Sequence, residues 1–131
     1  LSLTERREVG AFERMRAGGY HNVADPRIQR AVVLIEMRKG SGVTAEQAAE
    51  AAGLSGRQFT RLFRDNLGVT PKRFILDTRL RYARFLVENS NMPMTAIAFE
   101  TGFADCAHLT TSFRARYGVP PRQLRMKAAA G

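Results

Sequence analysis

The stretch GLSGRQFTRLFRDNLGVTP fills residues 53–71, and GFADCAHLTTSFRARYGVPP fills residues 102–121. At an offset of fifty residues Phe63 falls on Phe113, Thr60 on Thr110 and Arg64 on Arg114. The same offset pairs Gly68 with Gly118, Val69 with Val119 and Pro71 with Pro121. The leading glycines, Gly53 and Gly102, are forty-nine apart, so the second copy holds one more residue in its opening turn. Two copies are too few for a solenoid. They make a small unit that is used twice.

The punctuation of each copy is helical. Ser55 with Gln58 three residues later forms a capping box, and Phe59, Leu62 and Phe63 give the helix that follows an apolar stripe. Gly68 and Gly118 suit the left-handed position just past a helix end. Val69 and Val119 then stand where they can touch Phe63 and Phe113, and Pro71 and Pro121 suit the first position of the next helix.

The same signals continue outward from the repeat. Asp25-Pro26 opens a helix carrying Ile28, Ala31, Val32 and Ile35, which Gly40 ends. Thr44 with Gln47 opens a short Ala-rich helix to Ala52. A longer helix runs from Pro71 to about Asn89, roughly 28 Å at 1.5 Å per residue. Pro93 opens a short helix through Thr101, Asp105 caps one that ends at Tyr117, and a last one covers about Pro121 to Met126. The fold expected is all-α, with seven helices and no sheet. Val9, Phe12 and Met15 hint at a further helix, broken by Gly10 and closed by Gly18-Gly19. Residues 1–25 are therefore read as a linker or N-terminal extension, and 26–131 as the domain. Within it the first subdomain covers about 26–70, a linker helix about 71–89 and the second subdomain about 90–127.

Charge narrows the function. The chain has 21 Lys and Arg against 12 Asp and Glu. In residues 1–25 four arginines meet four acids, so the whole excess of nine lies on residues 26–131. A body that basic points to a polyanion, nucleic acid first and an anionic membrane second. Cys106 is the only cysteine, which excludes an internal disulfide and fits a reducing cytoplasm. The chain opens on Leu1 rather than Met and is read as a fragment whose missing part lies upstream.

Short helix, glycine turn and second helix together make the helix-turn-helix pattern, whose second helix enters the DNA major groove. In the first copy Arg57, Thr60, Arg61 and Arg64 recur at i, i+3, i+4 and i+7, a cationic face opposite the apolar stripe. Arginine forks suit guanine edges and phosphates alike. In the second copy Ala107, Thr110 and Thr111 replace Arg57, Thr60 and Arg61, with Cys106 just before them and Arg114 and Arg116 near the end. Scaffold is kept and reading face is changed, so an asymmetric duplex target is expected. A long helix of this length would hold the two second helices about one duplex turn apart, around 34 Å.

GLSGRQFTRLFRDNLGVTPKRF and IAFETGFADCAHLTTSFRARYGVPPRQLR resemble the DNA-binding domain of the AraC/XylS family of bacterial transcriptional regulators, over residues 26 to about 126. The resemblance implies two helix-turn-helix subdomains joined by a long helix. It implies DNA contacts from Arg57, Thr60 and Arg61 in the first recognition helix and from Cys106, Ala107 and Thr111 in the second. The family commonly has Arg where Thr111 stands, a polar residue at Ala107 and an aromatic at Leu109, so looser base reading is expected there. The implied partners are double-stranded DNA and RNA polymerase, with an effector domain upstream. ADPRIQRAVVLIEMRKG also resembles the lead-in of a subgroup whose N-terminal domain is glutamine-amidotransferase-like.

Other chemistries find little footing. His21 and His108 are far apart and neither has zinc-ligand spacing with Cys106, so no metal or cofactor is expected. Asp77 and Glu88, with Arg81 and Arg84 between them, read as ion-paired or solvated charges rather than an acid–base pair. No nucleophile motif or phosphate-cradling loop is present, which argues against an enzyme. The competing reading is a basic helical adaptor or membrane-surface module. That class favours lysine opposite a broad exposed apolar face. Here only Lys39, Lys72 and Lys127 are lysines, and no membrane partner is expected.

Overall fold

Asp25 starts the first helix by accepting the Arg27 N–H at 2.9 Å, and its carboxylate also takes Nε and Nη2 of the Arg27 guanidinium at 3.1 and 2.9 Å. These bonds, the side-chain one first, pull the Asp25 pKa down to about 2. The structure is a computed structural model that describes residues 23–130. The hints of order at Val9, Phe12 and Met15 lie outside the described residues.

Seven helices and no strand are found among the described residues: α1 Pro26–Met37, α2 Ala45–Ala52, α3 Gly56–Leu67, α4 Pro71–Asn89, α5 Met94–Glu100, α6 Cys106–Tyr117 and α7 Pro121–Ala130. The expected local devices set their ends. Thr44 and Gln47 exchange bonds at the start of α2, and Ser55 and Gln58 do so at α3. Each box satisfies two backbone donors that the helix itself leaves open. Asp105 accepts the His108 N–H at 2.7 Å to cap α6. Gly68 and Gly118 close α3 and α6 at φ values of 77° and 80°. Two ends differ from the sequence reading. Pro93 stands at the cap of α5 rather than inside it, and α7 runs on to Ala130 because an alanine run propagates a helix readily.

The described residues form two compact units, one ending at Arg79 and the next beginning at Leu80, so α4 gives its first part to one unit and the rest to the other. In the first unit Ile28, Ala31, Val32 and Ile35 of α1 join Ala48, Ala49 and Ala52 of α2 and Phe59 and Phe63 of α3 in one buried cluster. Alanine on α2 lets neighbouring helices approach closely. Phe63 packs edge-on against both Phe59 and Phe74, each with ring centroids 5.4 Å apart. Val69, just past the glycine cap, lies against this cluster.

The second unit buries Leu80, Tyr82, Ala83, Leu86 and Val87 of α4, Ile97 and Ala98 of α5, and Leu109 and Phe113 of α6. Its ring contacts include a tilted pair, Phe113 with Tyr117 at 4.8 Å, and an edge-on pair, Phe103 with His108 at 5.3 Å. Thr101 is fully buried, and its hydroxyl donates to the Ile97 carbonyl at 2.6 Å, which satisfies the one group that burial would penalise.

Candidate nucleic-acid interface

The path from sequence to site begins with the anchoring of α3. Phe59 and Phe63 are 1% and 0% exposed, and the capping box fixes the first turn. With that side locked in the core, the opposite face is committed to solvent. Arg57, Thr60, Arg61 and Arg64 all lie there and are all exposed. Among the described residues no hydrogen bond or ion pair engages the side chains of Arg57, Arg61 and Arg64. Three solvated guanidinium forks thus stand on one helix face with their donors open. Thr60 is different, for its hydroxyl donates to the Gly56 carbonyl at 2.9 Å and presents acceptor lone pairs outward.

On α6 the same construction carries another surface. Leu109 and Phe113 are both 0% exposed and hold the inner side. Ala107, Thr111 and Arg114 are exposed, and Cys106, at the first helical position, is partly buried. Cys106, Ala107 and Thr111 are short, and the first two turns hold no Lys or Arg. Arg114 is open in the last turn, whereas Arg116 lies over the Tyr117 ring at 5.3 Å, with Arg84 over the same ring at 4.7 Å.

The structure also sorts the remaining cations. Arg27 is tied to Asp25, Arg73 pairs with Asp77 at 3.2 Å and Arg84 pairs with Glu88 at 3.1 Å. Asp77 and Glu88 are thus each engaged in an ion pair with an arginine one turn before them on the same helix. Arg79 and Arg125 turn inward to backbone carbonyls, and burial lowers the pKa of both guanidiniums. Net charge alone assigned these two to a polyanion. Their partners lie 33 to 39 residues away in the chain, which no local pattern reveals.

Beside Thr60 an open cavity of about 430 Å³ is bordered by the first turns of α2, α3 and α4 and by Lys72. The positive N-terminal ends of those helices favour a negative neighbour, and Glu46 at the rim opposes it. Among the described residues no group of three His, Cys, Asp or Glu is gathered to hold a metal ion. No described helix is long and apolar enough to cross a membrane.

Residues 48–127 match the family model described as a helix-turn-helix domain. The HTH-type transcriptional activator RhaS of Escherichia fergusonii is 36% identical over 101 residues, which cover 77% of this chain and 36% of the relative. The HTH-type transcriptional regulator GbdR of Pseudomonas aeruginosa is 31% identical over 106 residues, 81% of this chain and 29% of the relative. The chain thus spans about a third of the length of these curated relatives. Among solved structures, an AraC-type transcriptional regulator from Chromobacterium violaceum superposes with a TM-score of 0.72 at 30% identity, over 79% of this chain and 93% of that one. The DNA-binding domain of AdpA, solved in complex with a target DNA, gives 0.75 at 26% identity over the same shares. Matched in sequence across both repeats and in fold to such domains, the chain belongs to the helix-turn-helix family of AraC-type DNA-binding domains of transcriptional regulators.

Proposed function

We propose that this domain reads an asymmetric duplex site with two recognition helices, α3 through Arg57, Thr60, Arg61 and Arg64, and α6 through Cys106, Ala107, Thr111 and Arg114. The observation that carries the reading is the open cationic face of α3, whose guanidiniums have no partner among the described residues. Unpaired forks on a rigid helix match the bidentate edge of guanine and the phosphate oxygens. The AdpA domain, of the same fold, was solved on its target DNA, which supports the duplex as ligand. Each helix would enter one of two successive major-groove segments, so one chain would cover the site.

The domain would act as the DNA-reading part of a longer cytoplasmic regulator, since the matched stretch covers only about a third of each relative. An effector domain upstream and contact with RNA polymerase follow from that role, as the name of the RhaS relative, a transcriptional activator, suggests. The test is fluorescence anisotropy on duplexes selected from a random pool, repeated across a salt series. Each neutralised phosphate adds about −0.9 to the slope of log affinity against log salt. A flat slope, or no selection of a preferred sequence, would refute the proposal in favour of an adaptor without DNA specificity.

A further inference from the structure

Both units carry an arginine whose guanidinium turns into the protein's own backbone. On α4, Arg79 donates from Nε to the Gly40 carbonyl at 2.6 Å and from Nη2 to the Val43 carbonyl at 3.2 Å. On α7, Arg125 donates from Nε to Val87 at 3.0 Å, from Nη1 to Met92 at 2.6 Å and from Nη2 to Leu86 at 3.2 Å. At Gly40 the approach is so close that an added Cβ would stand 2.8 Å from Cγ of Arg79 and 2.9 Å from the Ile75 carbonyl oxygen.

The two arginines hold equivalent places in the topology. Each stands on the helix that leaves a recognition helix, α4 after α3 and α7 after α6. Each bonds the chain that leads into the first helix of the same motif. Gly40 and Val43 lie between α1 and α2, while Leu86, Val87 and Met92 lie at the end of α4 and just before α5. Entry and exit of each helix-turn-helix are thereby tied through one planar fork. Swinging a recognition helix about its turn would break charge-assisted bonds, the stronger kind of hydrogen bond. An apolar side chain would hold the space without the desolvation cost of a charge, so what the fork adds is direction.

The geometry points to Arg79 and Arg125 as paired positioning residues, each fixing the pose of the recognition helix in its own unit and so setting base discrimination without touching DNA. The inference rests on the DNA-binding reading above. It makes the repeated unit larger than the fifty-residue pattern: a helix, a loop, a helix-turn-helix and a latching helix, with α4 shared.

The test uses Arg79→Lys and Arg125→Lys in the whole chain, because lysine keeps the charge and loses the fork. A base-substitution scan of the bound duplex is read by anisotropy, with circular dichroism as a check of fold. Arg79→Lys is expected to lose roughly tenfold in preference, the scale of one bidentate base contact, at the base pairs whose reading Arg61→Ala also relaxes. Arg125→Lys is expected to confine its loss to base pairs that Arg61→Ala leaves alone. Arg79→Met and Arg125→Met are expected to leave the salt slope at the wild-type value. A fall of about 0.9 would make the residue a phosphate contact and overturn the inference. Full rescue by lysine, or equal loss over the whole site, overturns it too. Arg→Gln at either position, keeping a planar donor, replaces a lysine variant that does not fold. If neither folds, the fork serves the fold itself and the positioning role is overturned. Failure of the unmodified chain to bind any selected duplex would strike the DNA-binding reading instead.

Discussion

The first and second helix-turn-helix units share their frame and differ in the surface that the frame presents. Both seat a phenylalanine at 0% exposure in the recognition helix, both close that helix with a glycine, and both tie their ends with an inward arginine. Yet α3 turns outward three guanidiniums that have no partner among the described residues, while the first two turns of α6 offer Cys106, Ala107 and Thr111. Buried positions answer to packing, which tolerates few exchanges. Outward positions on an anchored helix answer only to the ligand. The buried anchors stay apolar between the copies, Phe59 on Leu109 and Phe63 on Phe113, while the outward face trades arginine for short side chains, which separates what builds the reader from what is read.

The largest expected effect tests the shared frame. Phe63 makes two ring contacts and Phe113 one, so Phe63→Ala is expected to cost about 3–5 kcal/mol and Phe113→Ala less. Urea unfolding of the two variants checks the order. A reversed order would show that the aromatic trio is not what secures the first unit.

The reading faces come next. Arg61→Ala is expected to weaken duplex binding by roughly 1–3 kcal/mol and to relax preference at one or two base pairs. Thr111→Ala should cost clearly less, and Arg114→Ala should weaken all sequences alike if Arg114 meets phosphate. Scanning every base pair of the site with the three variants decides. Greater stringency under α6, or Thr111→Ala as the most damaging change, would invert the roles given to the two helices.

The smallest effect concerns the cap of α1, where Asp25 is tied to Arg27. Asp25 has a folded pKa near 2 against an ordinary value of 3.8. A depressed carboxylate pKa means stability that is present above 3.8 and lost as pH falls through about 2. Melting curves of Asp25→Asn should accordingly lack part of the pH dependence that the unmodified chain shows in that window. Identical acid profiles would mean that the Arg27 contact adds nothing to the fold.

Most of the frame was legible because its devices are local. Thr44 with Gln47, Ser55 with Gln58, Asp105 and the capping glycines all act within three or four residues of themselves, so adjacent letters suffice to find them. The cationic face of α3 was legible from helical spacing alone. The latches were not. Arg79 and Arg125 stand 46 positions apart rather than fifty, so aligning the repeats does not pair them. Their carbonyl partners have no sequence signature, since every residue carries one. The run of α7 to Ala130 has a weaker signal, because past Met126 the amphipathic pattern stops and only alanine's own propensity continues the helix.

Gly40 carries a consequence for how this sequence can vary. Its φ of 76° and the 2.8 Å that would separate an added Cβ from Arg79 Cγ leave no room for a side chain. In the genetic code every single-base missense change of a glycine codon introduces one. Position 40 thus has no tolerated neighbour in codon space, and drift cannot cross it by small steps. Arg79 shares the isolation, because relief of the crowding at position 40 would also loosen the latch. Among natural variants that keep this loop, change is expected to flow around the pair at 40 and 79 and to collect on the outward face of the recognition helices.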